Sequence, residues 1–431
     1  MLIPRRDYDK MTAATREERM AWFKEARLGM FIHYGLFSSL ETGEWSQVQE
    51  NYRPDEYAKF AKDFHPKEGC CEEWCAQAAR MGAKYAVMTT RHHEGFSLWN
   101  SKVNPYNSYN ACGRDLVREF TDACRKYGLK IGLYSSLMDW HHPDAGKCVY
   151  DMDARRRFTD YIEALNVELL SNYGKIDVLW YDVAWPMESS ESWNSANRNA
   201  RLRELQPHII INNRSRMPED FQTPEEALGN DSKNYWEACM TFNGISWGYI
   251  DSEQARQYSY RPGQILKMLR RCSAGVGNLL LNIGPTPDGS VPEEAKDVLD
   301  RVGAWMKENG EAAYGPKYAI GPGEYSANNI SEASVSADEK TVYFWNYSYP
   351  KSRVITFGGY KTKPRRVTIL ATGEDVKFEL DGERLRLYDL PEKCPDTHCG
   401  VTVFKAEFDE KPRFAFASYY PQIHYGSDYE G

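Results

Sequence analysis

The sequence predicts an α/β protein, a (β/α)8-like barrel followed by a C-terminal antiparallel β-sandwich. Three observations carry that expectation. Short apolar runs alternate with amphipathic stretches through the first three hundred residues, the texture of parallel strands buried on both faces. Glycines at 82, 128 and 174 end three helical stretches just ahead of three such runs, in two steps of 46 residues, the spacing of repeated β-α units. After about residue 315 the helical period stops, and short runs bounded by Gly, Pro, Asn or Asp take over.

The barrel strands are read in order as Gly29–His33, Tyr85–Thr89, Ile131–Ser135, Val178–Asp182, Ile209–Asn212 and Asn278–Ile283. None alternates strictly, and all are rich in Ile, Leu, Val or aromatic residues. Asp115 is placed as the N-cap of a helix over 116–127, with Leu116, Phe120, Ala123, Cys124 and Tyr127 on one face and Gly128 as its stop. An open doubly-wound sheet is the alternative, but no glycine-rich phosphate loop follows the first strand. Ala333–Val335, Thr341–Tyr347, Ser352–Phe357, Arg366–Leu370, Val376–Leu380, Arg384–Leu387 and Val401–Phe408 supply the sandwich. The expected organisation is a catalytic barrel over 1–315, a sandwich over 316–410 that braces it, and a tail over 411–431 holding Tyr419, Tyr420, Tyr425 and Tyr429, with Gly315–Gly323 as the junction.

A chain of 431 residues that is 42% hydrophobic and 27% charged can bury a large core. A net charge of −8 argues against a general nucleic-acid binder, which needs a basic surface. No apolar stretch reaches the length of a membrane span. Met1 to Arg6 has no apolar h-region. The chain as it stands is therefore expected to be cytoplasmic, or periplasmic or secreted if a leader was removed. Ten cysteines are too sparse for a disulfide scaffold and are read as reduced thiols. Cys394, His398 and Cys399 offer three metal ligands in a loop, while Cys70, Cys71 and Cys75 match no zinc spacing. No metal or cofactor is expected. Asn213, Asn230, Asn329 and Asn346 open glycosylation-type triplets that are read as chance. The sequence is compatible with an oligomer.

In a βα barrel, chemistry gathers at the C-terminal ends of the strands. Those ends read His33-Tyr34, then Thr90-Arg91-His92-His93-Glu94, then Tyr134-Ser135-Ser136 with Asp139-Trp140 beyond, then Trp180-Tyr181-Asp182, Asn212-Asn213-Arg214 and Asn282. Asp182 closes an apolar run and is either a salt-bridge partner or a nucleophile. Glu225, Glu226 and Glu237 follow, and a pair of carboxyls in opposite protonation states is what glycoside cleavage requires. His92 and His93, adjacent on an extended strand, would point to opposite sides, which disfavours a shared metal. A neutral histidine donating to a sugar hydroxyl is the reading preferred here. Ten of the 12 Trp precede residue 250, and aromatic faces suit the CH faces of sugars as well as cores.

The motifs Ala26–Leu36 with Gly43-Glu44-Trp45, Tyr85–Phe96, Gly132–Ser135 with Asp139-Trp140, and Leu179–Asp182 resemble those of the α-L-fucosidases of glycoside hydrolase family 29. Asn213-Arg214, Asp220–Glu225, Trp236-Glu237 through Tyr249, and Asn278–Pro285 complete the series in the family's order. The resemblance implies a retaining exo-hydrolase acting on terminal α-L-fucose in fucosylated glycans. In it Asp182 matches the nucleophile, Glu225 the usual acid/base, and Glu237 is the second choice. It implies a sugar pocket drawn from His33, Glu44, Trp45, His92, His93, Tyr134, Trp180 and Arg214, with Trp247 against the C6 methyl. An α-L-galactosidase-like relative, a fucose-binding protein without turnover, and a metal-dependent hydrolase are the alternatives. Tyr34, Glu94 and Val183-Ala184 depart from the family's pattern. The last pair adjoins Asp182 and is expected to narrow the leaving-group side.

Overall fold

The computed structural model describes residues 4–229, 234–319 and 331–414. Seven strands build the first sheet: β1 (Leu28–Ile32), β2 (Tyr85–Arg91), β3 (Lys130–Ser136), β4 (Val178–Asp182), β5 (Ile210–Ile211), β6 (Trp236–Met240) and β7 (Gly277–Ile283). Their order is β5-β4-β3-β2-β1-β7-β6. The pairs β1–β2, β1–β7, β2–β3, β3–β4 and β4–β5 are parallel. Every residue of β1, β2, β6 and β7 is buried, as expected of strands covered on both faces.

The two ends of this sheet are joined by an extended segment, Asp220–Glu226. It makes isolated parallel bridges to β5's continuation at Asn212↔Phe221 and to β6 at Gln222↔Trp236 and Glu225↔Cys239. The amide of Cys239 donates to the carbonyl of Pro224 at 3.1 Å, and that of Glu226 to the carbonyl of Cys239 at 3.1 Å. Pro224 supplies no N–H, which breaks the regular ladder here. The segment thus stands where an eighth strand would, and it carries Glu225.

The helix predicted after Asp115 is present over Leu116–Lys126, with the Asp115 side chain accepting from the amide of Arg118 at 2.9 Å. Gly82, Gly128 and Gly174 all have positive φ, which explains glycine at each repeat. The N-terminal helix, α1 (Arg5–Ala26), places Phe23 against Phe221 and Tyr85. β6 is absent from the sequence-based strand set. Its Trp-Glu-Ala-Cys-Met run holds a carboxylate at its second position, which masks a strand that is wholly buried.

The second region contains β8 (Lys317–Ala319), β9 (Ser331–Ser336), β10 (Thr341–Asn346), β11 (Ile355–Gly358), β12 (Arg366–Ile369), β13 (Lys377–Asp381), β14 (Arg384–Tyr388) and β15 (Thr402–Glu407). They form an antiparallel five-stranded sheet, β12-β15-β10-β9-β8, and a three-stranded sheet, β11-β14-β13. Phe344 of the first stacks on Phe357 of the second at 3.8 Å, inside a core with Leu385, Leu387 and Phe404. All seven predicted sandwich runs are strands.

Two compact units emerge, Met1–Tyr260 with Asn278–Asp300, and Arg261–Gly277 with Arg301–Gly431. Packing therefore divides the chain differently from a cut at residue 315. Within the second unit Trp305 lies 4.8 Å from Trp345 and donates to the carbonyl of Val401 at 2.7 Å, and Arg271 pairs with Glu332 at 2.9 Å. Part of the predicted junction, the tyrosine-rich tail, and the triplets at Asn230 and Asn329 lie outside the described residues. Asn346 is buried. Among the described residues no helix is long and apolar enough to cross a membrane.

Candidate active site

The C-terminal ends of the strands surround a cavity of about 390 Å³. Asp182, the last residue of β4, lies at its inner side. Its Oδ2 accepts from the Tyr134 hydroxyl at 2.8 Å. Its Oδ1 accepts from Arg214 Nη1 at 2.6 Å and from the amide of Val183 at 2.8 Å. Burial alone would push this carboxyl up, but the Arg214 guanidinium and the bonds it accepts outweigh burial and hold it at about 2. Asp182 is thus ionised across the physiological range, as a carboxylate nucleophile must be.

Arg214 lies in the single 3-10 turn after β5 (Asn213–Ser215). Its guanidinium sits 4.8 Å over the Trp180 ring. Nε donates to Thr223 Oγ1 at 2.9 Å, and Nη2 to Glu225 Oε2 at 2.7 Å. One guanidinium therefore joins both predicted catalytic carboxylates, a fork geometry that Lys could not reproduce. The Asp182 side chain is 13% exposed and that of Glu225 45%, so the first lies deep and the second near the mouth.

His92 and His93 both line the cavity, contrary to the alternation expected of a strand. β2 ends at Arg91, the chain then turns, and the amide of Gly95 (φ +81°) closes back on the carbonyl of His92 at 3.1 Å. The two rings lie 3.9 Å apart. His93 Nδ1 meets Ser136 Oγ at 2.7 Å, and that hydroxyl is itself spent on the carbonyl of Met138. The ring must therefore donate from Nδ1, leaving Nε2, 3.9 Å from Asp182 Oδ2, as an acceptor. His33 Nδ1 likewise donates to Asn282 Oδ1 at 2.7 Å, because the amide nitrogen of Asn282 donates to the carbonyl of Trp247. Burial lowers both histidines, His33 to about 3, so both are neutral. The histidines thus present acceptors to a ligand, where the sequence reading has a donor.

Trp45, Trp180 and Trp247 also line the cavity. Trp45 packs on His93 and Trp140 at 5.4 and 5.1 Å, and Trp247 on His33 at 5.2 Å. Two predicted site residues do not line it. The Glu44 carboxylate accepts from the Ser246 hydroxyl at 2.9 Å and from the amides of Trp247 and Gly248 at 3.0 and 2.8 Å, and so positions Trp247. Glu237, fully buried on β6, accepts from Trp180 Nε1 at 2.9 Å and from the Tyr85 hydroxyl. Tyr85 opens β2, so Glu237 lies below the cavity in the barrel interior. Burial pushes its carboxyl up to about 7. Gly29 is required here: a Cβ would lie 2.4 Å from the Tyr85 ring.

The cavity also takes in Phe31, Trp185, Arg216 and Cys239, which sequence reasoning does not select, together with Asn213 from the strand-end reading and the Val183-Ala184 pair noted beside Asp182. Phe31 was available by alternation from His33, and Cys239 depends on recognising β6. Asn213 falls inside the site, consistent with a chance glycosylation triplet. Cys394, His398 and Cys399 do not converge: they bond Thr402 Oγ1, Glu308 and the carbonyl of Arg301 respectively. Among the described residues, the ligand atoms that do cluster belong to Cys70, Cys71 and Glu119. There the Arg114 guanidinium occupies Glu119 and approaches Cys70 Sγ at 3.7 Å, setting a cation where a metal would need room.

An ionised carboxylate under a second carboxyl, in an aromatic cavity at the C-terminal edge of a parallel barrel, has the form of a barrel glycoside hydrolase site. The sequence matches the alpha-L-fucosidase family over residues 3–311, and the chain belongs to that family. It is 31% identical to human tissue alpha-L-fucosidase over 415 residues, covering 87% of this chain and 86% of that protein. An alpha-L-fucosidase of Branchiostoma floridae is 32% identical over 397 residues, 83% of this chain and 86% of its own. Among solved structures, alpha-L-fucosidase isoenzyme 1 of Paenibacillus thiaminolyticus superposes with a TM-score of 0.82 at 32% identity, covering 92% of this chain and 100% of that one. A Bacteroides thetaiotaomicron alpha-L-fucosidase with a trapped covalent intermediate superposes with a TM-score of 0.80 at 26% identity, over 90% and 96% of the two chains.

Proposed function

We infer that the chain is a retaining, exo-acting α-L-fucosidase that removes terminal α-L-fucose from glycans or glycoconjugates through a covalent fucosyl-enzyme. The observation that carries this is the joining of Asp182 and Glu225 by Arg214 in one cavity, in a chain of this family. Retention asks for two carboxyls ~5–5.5 Å apart, and a shared guanidinium favours such a short separation.

In the proposed reaction Asp182 Oδ attacks the anomeric carbon. The bond to the leaving oxygen breaks, its electron pair stays on that oxygen, and Glu225 delivers the proton. Glu225 then takes a proton from water, which attacks the fucosyl ester and frees Asp182. Arg214 keeps Asp182 ionised between turnovers. His33 and His93 accept from sugar hydroxyls, with Trp45, His92, Tyr134 and Trp180 completing the pocket. Trp247 and Phe31 form the apolar wall for the C6 methyl, a discrimination of ~1–3 kcal/mol over a hydroxymethyl group. Glu44 and Glu237 act by positioning Trp247 and Trp180. Release of 4-nitrophenol from its α-L-fucoside, with the α-L-galactoside in parallel, tests the reading. Turnover of the fucoside is expected. Activity on the galactoside alone would keep the mechanism and overturn the methyl pocket, and fucose binding without turnover of activated or oligosaccharide fucosides would overturn the reaction.

A further inference from the structure

The segment that carries Glu225 is weakly held by its own backbone. Asp220–Glu226 meets its neighbours through isolated bridges, and Pro224 withholds an N–H. Two glutamates stand side by side at its end. Glu225 lines the cavity, while Glu226 accepts from the amide of Thr241. Successive side chains of an extended chain point to opposite sides, so a slip by one residue would exchange the two. Sparse bridges specify such a register poorly, and a further anchor is needed.

Asp220, at the other end of the segment, supplies it. Its side chain is 2% exposed. Oδ1 accepts from Arg19 Nη2 of α1 at 2.7 Å. Oδ2 accepts from Arg203 Nη2 at 2.7 Å and from the amide of Ile211 on β5 at 2.9 Å. The Asp220 amide donates to the carbonyl of Ile211 at 3.0 Å, and its carbonyl accepts from Arg16 Nη2 at 2.7 Å. Burial pushes the carboxyl up, but Arg203 and Arg19 outweigh it and hold the group below the usual carboxylate range. Glu219, just before it, is fixed at φ +45° by bonds from the Tyr8 hydroxyl at 2.8 Å, Asn199 Nδ2 at 2.6 Å and Arg203 Nη2 at 2.9 Å. Asp220 does not line the active-site cavity. An extended run of five residues spans about 17 Å, so any effect on the chemistry travels along the segment. Asp182 stands on β4 and takes bonds from Tyr134 and the Val183 amide, which lie outside this segment.

We propose that Asp220 is a positioning residue for the acid/base step: clamped by Arg19, Arg203 and the amide of Ile211, it sets the register of the closing segment and keeps Glu225, rather than Glu226, in the cavity wall. This role presupposes the fucosidase reading with Glu225 as acid/base, and adds to it a control of that step from outside the cavity.

Two substrates separate this role from a general loss of structure. Phenyl α-L-fucoside expels a poor leaving group and needs the proton from Glu225, whereas α-L-fucosyl fluoride releases fluoride ion without one. Asp220→Asn keeps the size of the side chain but turns an N–H₂ toward Arg19, or toward Arg203 and the Ile211 amide, all of them donors. It should lower kcat/KM on the phenyl fucoside about ten- to a hundredfold, the cost of a displaced acid. It should leave kcat/KM on the fluoride within about threefold, since that step draws little on acid catalysis, and this also shows that the variant folds. Azide attacks the fucosyl ester without a general base, so it should raise the variant's turnover of the fluoride more than the wild type's. Arg19→Met removes one arm of the clamp and should show the same split on a smaller scale; it carries the test if Asp220→Asn does not fold. An equal fall on both substrates, or an unchanged phenyl fucoside rate in the folded variant, would overturn the positioning role. A wild type that turns over neither substrate would overturn the fucosidase reading instead.

Discussion

Glu237 offers a quantitative test because its environment is simple. It is fully buried and accepts from Trp180 Nε1 and the Tyr85 hydroxyl, and burial lifts its carboxyl from 4.5 to about 7. In the unfolded chain the carboxyl ionises near 4.5, so between that value and about 7 the unfolded state holds fewer protons than the folded one. Stability is therefore fully present below pH 4.5 and is lost as pH rises through 7. At ~1.36 kcal/mol per pH unit, the loss between about pH 5 and pH 8 comes to about 2.5 kcal/mol. Glu237→Gln removes this dependence while keeping an acceptor for the indole. Urea unfolding of the two proteins, followed by indole fluorescence, reads the difference. The stability of the wild type relative to the variant should fall by about 2.5 kcal/mol from pH 5 to pH 8. A difference that stays flat across that range would refute the assignment of a raised, buried carboxyl. The variant should also keep fucoside hydrolysis within about tenfold, since Glu237 acts only through Trp180. A collapse of turnover with a normal melting profile would return Glu237 to contention as the acid/base.

Asp182→Gly should lower turnover roughly 10³-fold or more, with partial rescue by azide forming the fucosyl azide; the rate with and without azide checks it. Arg214→Met removes the chief group opposing burial at Asp182, so its carboxyl should rise from about 2 and kcat/KM should gain an acid limb, with activity falling as pH drops toward 5; a pH–rate profile with no new limb would contradict the role given to Arg214. Val183→Gly relieves a left-handed β-branched residue (φ +42°) at some cost in chain entropy. A net stabilisation of about 1 kcal/mol is expected from the thermal midpoint.

The fold was legible where burial and periodicity agree. Six of the seven parallel strands stand out as apolar runs, and the glycines at 82, 128 and 174 mark helix stops because each sits at positive φ. What stayed hidden violates those signals for physical reasons. β6 carries Glu237 at its second position, and a buried carboxyl pushed up to about 7 looks in the sequence like a surface residue. The closing segment Asp220–Glu226 contains Pro224 and pairs by isolated bridges, so no strand pattern is there to find. At the site, Asp182, Arg214 and Tyr134 follow from strand ends. His92 and His93 share the cavity only because β2 stops at Arg91, and Glu44 and Glu237 reach it only through Trp247 and Trp180.

The hydrogen-bond chain behind the cavity explains why a neutral, hydroxyl-rich ligand suits it. Ser136 gives its proton to Met138, so His93 must donate to Ser136. The Asn282 amide nitrogen is committed to Trp247, so His33 must donate to Asn282 Oδ1. Each backbone carbonyl at the end of these relays fixes a tautomer two groups away. The result is a pair of imidazole lone pairs beside an ionised Asp182, three acceptors with Arg214 as the opposing donor. A carboxylate or phosphate set against the histidines would meet only lone pairs, and no proton is available there to relieve the clash because burial holds both rings neutral. A sugar hydroxyl meets the same atoms as a donor. The preference for an uncharged sugar is thus set by Met138 and Trp247 main-chain atoms, one step removed from any group that touches the ligand.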